Sequence, residues 1–111
     1  MESLTEVVTR TADAAELHAP VPTLLLELQS LLGLLTATVT DATDRGRRPF
    51  RPTPDWPDRF GDLAYAVYLL ADQSGVDVDA AVRAAAANVQ HRLQRGAQQA
   101  PSQADWPFGS E

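Results

Sequence analysis

Apolar residues fall along this chain in four stretches at helical spacing, separated by short segments rich in proline, glycine and acid. In the first, Leu4, Val7, Val8, Ala14, Ala15 and Leu17 share a side, and Ser3 followed by Glu6 has the spacing of a capping box. That helix is predicted to stop before His18, ahead of Pro20 and Pro22. The second stretch, "PTLLLELQSLLGLLTATVTDAT", starts with Pro22 in its first turn. Leu24, Leu28, Leu31 and Leu35 form one stripe, Leu25, Leu32 and Val39 another, and Leu26 and Leu34 lie elsewhere on the circumference. A helix apolar nearly all round implies burial by several neighbours.

The segment "DRGRRPFRPTPDWP" is dense in proline, arginine and glycine and reads as a long connection, a candidate functional segment. The third helix begins around Pro57, with Asp55 or Trp56 near its cap, presents Phe60, Leu63, Val67 and Leu70 inward and ends at Gly75. Asp77 or Asp79 caps a fourth helix that ends at Gly96, with Arg92 and Arg95 in its last turn, where cations favour the dipole. Residues 97–111 form a polar tail that repeats the "DWP" of Asp55 to Pro57 at Asp105 to Pro107. The expected architecture is all-α, a short four-helix bundle over residues 1–96. A monomer of this size leaves the second helix uncovered, so a homodimer or higher homo-oligomer is expected.

Composition narrows the function. With 111 residues the chain holds one domain with a modest core. Its formal charge of −6 opposes nonspecific binding to DNA, RNA or an anionic membrane, each of which needs a basic face. Having no cysteine, it has no thiol catalysis, disulfide or cysteine-ligated metal. The start lacks the basic and apolar regions of a signal peptide, and no stretch is expected to reach the roughly 18–20 apolar residues of a membrane span. A cytoplasmic protein is expected.

From Leu24 to Arg92 the order of elements resembles the all-α nucleotide pyrophosphohydrolases of the MazG and dCTP pyrophosphatase superfamily, over about two thirds of the chain. The carriers are "LLLELQSLLGLL", "DRFGDLAYAVYLLADQSGVDVDAAV" and "NVQHR". The resemblance implies four carboxylates, two from each central helix, holding magnesium ions that bridge phosphates, since hard cations require oxygen ligands. Matched position by position, the first two carboxylates fall on Leu31 and Leu34, either side of Gly33, and a third falls on Arg59. Asp62 stays, Asp58 stands where a preceding acid is usual, and Asn88 matches a late asparagine although Ala87 replaces the lysine before it. A shifted site of Glu27, Asp58 and Asp62 needs a change of register.

Each candidate also has a structural reading. Asp58 complements the helix dipole without any ligand. Asp62, four residues on, asks for a partner such as Arg59 or an ion. Arg45, Arg47, Arg48 and Arg51 offer guanidinium forks that match phosphate oxygens, or simply a solvated loop. Tyr65 and Tyr68 read as packing residues, and His18 and His91 lack partners at metal spacing. Leucine at two metal positions would strip an ion of its hydration without compensation.

The expectation is therefore a MazG-like protein that has lost hydrolysis and binds a nucleotide-like ligand or a protein partner, with no cofactor. Its ligand residues would be Asp62, Asn88, Arg45, Arg47, Arg48 and Arg51. The alternative is an active, magnesium-dependent nucleoside triphosphate pyrophosphohydrolase with a rearranged site, in which Asp58 and Asp62 hold the metal.

Overall fold

The computed structural model describes residues 1–98, which form four helices and no strand. They are α1 (Leu4–Ala15), α2 (Val21–Ala42), α3 (Trp56–Ser74) and α4 (Val78–Gln98). The all-α class is as expected. The chain divides into two compact units, Met1–Val76 with α1 to α3, and the residues from Asp77 onward with α4. The expected boundary after residue 96 falls inside α4, which runs through Gly96 to Gln98. The rest of the expected tail, including the second "DWP", lies outside the described residues.

The helix ends follow from local chemistry. Ser3 caps α1 by accepting the Glu6 N–H at 3.1 Å, and the Glu6 carboxylate accepts the Ser3 N–H at 3.2 Å, which completes the capping box. Glu16 closes that helix in a left-handed conformation with φ of 56°. Pro20 precedes α2 and Pro22 sits in its first turn, where the missing N–H has no intrahelical acceptor to lose. Asp55 stands at the start of α3 without a capping hydrogen bond, and Gly75 ends it with φ of 74°. For α4 the cap is Asp77, whose Oδ1 accepts the Ala80 N–H at 3.1 Å.

Packing departs from the periodicity. In the first unit α3 is the central helix, with α1 and α2 both against it. Val8 and Ala12 of α1, Leu24 of α2 and Leu69 of α3 form the buried cluster, joined by Ala19, Tyr65, Tyr68 and Leu70. The predicted inner face of α3 is corrected in part: Leu70 packs against the cluster as expected, but Phe60 and Val67 are exposed, and Leu69 is buried instead. Phe60 turns instead towards Trp56, which stacks edge-on with Phe50 at 4.9 Å between ring centroids. One copy of the chain does not cover α2 on all sides. Only Leu24 on this helix is buried, and Leu25, Leu26, Leu32 and Leu34 are all exposed.

By length and composition α2 is also long and apolar enough to cross a membrane, with 22 residues and a mean hydropathy of 1.4. No such stretch was expected, and Glu27, Gly33 and the threonines do interrupt its apolar run. Averaged over a window, the leucines outweigh them.

After α2 the chain makes a hydrogen-bonded turn. Asp44, Arg45 and Gly46 take left-handed φ values of 49°, 58° and 87°. Thr43 holds the turn: its hydroxyl donates to the Val39 carbonyl at 2.8 Å and accepts the Gly46 N–H at 3.0 Å, and its carbonyl accepts the Arg48 N–H at 2.8 Å.

Two glycines give opposite expectations from the same open surroundings, since a Cβ added at either Gly33 or Gly75 meets nothing within 4 Å. Gly33 is helical, so Gly33→Ala is expected to stabilise by about 0.5–1 kcal/mol. Gly75 is left-handed, so Gly75→Ala is expected to destabilise by about 1 kcal/mol. Thermal unfolding should move in opposite directions for the two, by several degrees each.

Candidate functional site

Leu31, the position that the resemblance equates with a metal carboxylate, stands in the wall of a cavity of about 250 Å³. The same cavity is lined by Leu17, by Glu27 one turn earlier on α2, and by Asp62, Tyr65, Ala66 and Leu69 of α3. The spacings of four on α2, and of three, four and seven on α3, put each set on one face of its helix. Leu69 is buried in the hydrophobic cluster, so the interior is apolar. Glu27 and Asp62 are exposed and bring the polar atoms to its walls. The Tyr65 hydroxyl is 2.7 Å from the Thr11 hydroxyl of α1, which fixes the ring.

The other site positions distribute differently. Leu34 is exposed and does not line the cavity, so only one of the two leucines occupies it. Asp58 is exposed in the first turn of α3, where an acid complements the helix dipole, and it does not line the cavity either. Arg59, the partner expected for Asp62, is instead bonded through Nε to Asp55 Oδ2 at 2.8 Å. Asn88 is exposed on α4, in the second unit.

The arginine cluster is divided. Arg48 and Arg51 line a second cavity, of about 430 Å³, together with Asp41, Ala42 and Pro49. Arg47 is 3.7 Å from Asp44, and Arg45 carries the left-handed backbone of the turn. Asp41 puts a negative charge on the same cavity as the two guanidinium groups, which lowers its attraction for a phosphate. No residue lines both cavities. Among the described residues no group of three His, Cys, Asp or Glu side chains is arranged to hold a metal ion.

A polar cluster joins α1 to the end of α3 without any signal in the sequence. The Thr9 hydroxyl donates to Asp72 Oδ1 at 2.9 Å. His18 Nε2 lies 2.6 Å from Asp13 Oδ1, and its Nδ1 lies 3.3 Å from Gln73 Oε1 and 3.9 Å from Asp72 Oδ2. His18 is therefore engaged between the two helices. The contacts between α1 and α3 here span 54 to 63 residues, beyond the reach of any local pattern.

Compared with protein-family models, with curated proteins and with solved structures, the chain matches none.

Two measurements follow from these contacts. The Asp55 carboxyl is held below the usual carboxylate range, first by the Thr53 hydroxyl and then by Arg59. Carboxyl NMR titration should show Asp55 protonating at lower pH than an ordinary aspartate, with Thr53→Val moving it back up by more than Arg59→Gln does. Because this shift is downward, the pairing with Arg59 is present at neutral pH and is lost as pH falls through the folded value. Separately, Asp72→Ala removes the acceptor through which Thr9 ties α1 to α3, leaving its hydroxyl the Thr5 carbonyl at 2.9 Å, and is expected to cost about 1 kcal/mol, read by chemical denaturation.

Proposed function

We propose that this chain is a helical protein of the MazG-like type with a degraded metal site, which binds a nucleotide-like ligand and does not hydrolyse it. The observation that carries this reading is the cavity in which Glu27 and Asp62 stand beside Leu31, Ala66, Leu69 and the ring of Tyr65. Two carboxylates without a cation repel phosphate, but they accept hydrogen bonds from the exocyclic amine of a nucleobase. The apolar walls and the tyrosine suit the faces of a heteroaromatic ring. Leu31 supplies hydrocarbon where an ion would need oxygen.

The second reading, a magnesium-dependent nucleoside triphosphate pyrophosphohydrolase with a rearranged site, is favoured by one observation. Glu27 and Asp62 line the same cavity, and magnesium is often held by one or two carboxylates together with substrate phosphates. Asp58 lies outside that cavity, so the rearranged set would contain two acids of this chain.

Purified protein incubated with magnesium or manganese and a panel of nucleoside triphosphates separates the two. No monophosphate or pyrophosphate is expected, while titration with nucleosides and nucleotides should shift the NMR signals of Leu31, Tyr65 and Ala66. Turnover that Asp62→Ala abolishes would select the hydrolase. An absence of shifts at those three residues across the panel would remove the ligand.

A further inference from the structure

We propose that α2 pairs antiparallel with α2 of a second copy of this chain, along the seam Val21, Leu25, Leu28, Leu32, Leu35 and Val39. These positions step by four, three, four, three and four residues, the 3.5-residue repeat of a helix that packs knobs into holes against another helix. Val21, Leu25 and Leu32 are exposed by 38%, 48% and 52%, and Leu28, Leu35 and Val39 are half-buried. The seam is turned by about 60° from the stripe that α2 lays on α3, at 3.6 residues per turn. The first unit therefore leaves the exposed half of the seam, Val21, Leu25 and Leu32, without a partner.

The order Val, Leu, Leu, Leu, Leu, Val reads the same from either end. A two-fold axis at the level of Ser30 consequently sets Val21 against Val39, Leu25 against Leu35 and Leu28 against Leu32 of the other copy. An interface of this kind uses the same patch twice and closes at two subunits. The helix dipoles favour one direction: the antiparallel pair sets them opposed, whereas a parallel pair would align them. The acids of α2, Glu27 and Asp41, both point away from the seam and oppose neither arrangement.

Lipid is the competing occupant. It makes no demand for a 3.5-residue stripe, and it would leave Glu27 and Asp41 without water. Glu27 projects about 120° away from the seam around the helix, so the cavity it lines with Asp62 stays accessible in the dimer. The pairing is thus independent of any ligand there. One third of the circumference of a helix about 33 Å long and 10–12 Å across gives on the order of 400 Å² per copy. This is half of the roughly 800 Å² typical of a stable partner surface, so the dimer should be reversible.

Light scattering over a concentration series is expected to show monomer passing into dimer. Leu32→Glu, at an exposed position, should weaken association on the order of a hundredfold by burying a charge, with helicity by circular dichroism retained. Leu26→Glu, away from the seam, should leave it unchanged. Because the chain has no cysteine, single cysteines report the geometry directly. On oxidation, Leu25→Cys mixed with Leu35→Cys should give a disulfide-linked heterodimer, and Leu25→Cys alone should give none. In the antiparallel pair the two residues at position 25 are about 15 Å apart along the axis, well beyond the roughly 4.4–6.8 Å that a disulfide spans between Cα atoms. A monomer at every concentration, a Leu25→Cys homodimer, or a dimer indifferent to Leu32→Glu would overturn the pairing. So would cosedimentation with phosphatidylcholine vesicles that Leu32→Glu abolishes, since lipid would then be the occupant.

Discussion

The first unit is organised by a very small apolar contact. Val8, Ala12, Leu24 and Leu69 meet where three helices converge, and Ala12 is fully buried. A methyl group at that point lets α1 approach α3 closely enough for Thr9 to reach Asp72 and for Thr11 to reach Tyr65. The polar bonds between the helices thus depend on an alanine. The tyrosine ring that they fix is also a wall of the candidate cavity, so core and site share one support.

Much of the helix layout was legible in the sequence because its causes are local. Ser3 with Glu6, the prolines at positions 20, 22 and 57, and the left-handed Gly75 each act within one helical turn. Which face of a helix is buried is a different kind of fact. Phe60 and Val67 fit the inner stripe of α3 by spacing, yet α3 receives neighbours along Tyr65 and Leu69, and Phe60 finds Trp56 instead. The leucines of α2 foretold an apolar helix without telling how few of them this chain covers by itself. The engagement of His18 with Asp13, Asp72 and Gln73 rests partly on residues more than fifty positions away, and no periodicity carries that information.

The candidate site was legible in its parts and less so in their grouping. The helical register of α2 and α3 unites Glu27 with Asp62, a pair that needed a shift of the resemblance to be seen. Leu31 joins them, while Leu34, only three residues further on, faces outward. The arginine cluster looked like one feature because its members are close in sequence. Its turn separates them: Arg47 goes to Asp44, and Arg48 and Arg51 go to a cavity shared with Asp41. Short spacing in a turn does not imply a common direction, as it does on a helix.

That turn has a consequence for how the chain accommodates change in length. Residues 43–48 are tied back onto the last turn of α2 through Thr43 and through the Arg45 N–H, which reaches the Thr40 carbonyl at 2.8 Å. Extra residues inserted there would break a hydrogen-bonded cap and unwind the end of the long helix. Between Pro49 and Pro54 no regular structure constrains the backbone, and lengthening costs only loop entropy, roughly 0.6 kcal/mol for each doubling. A foreign segment, a tag or an epitope grafted into the connection would therefore be tolerated on its proline-rich half and rejected on its arginine-rich half.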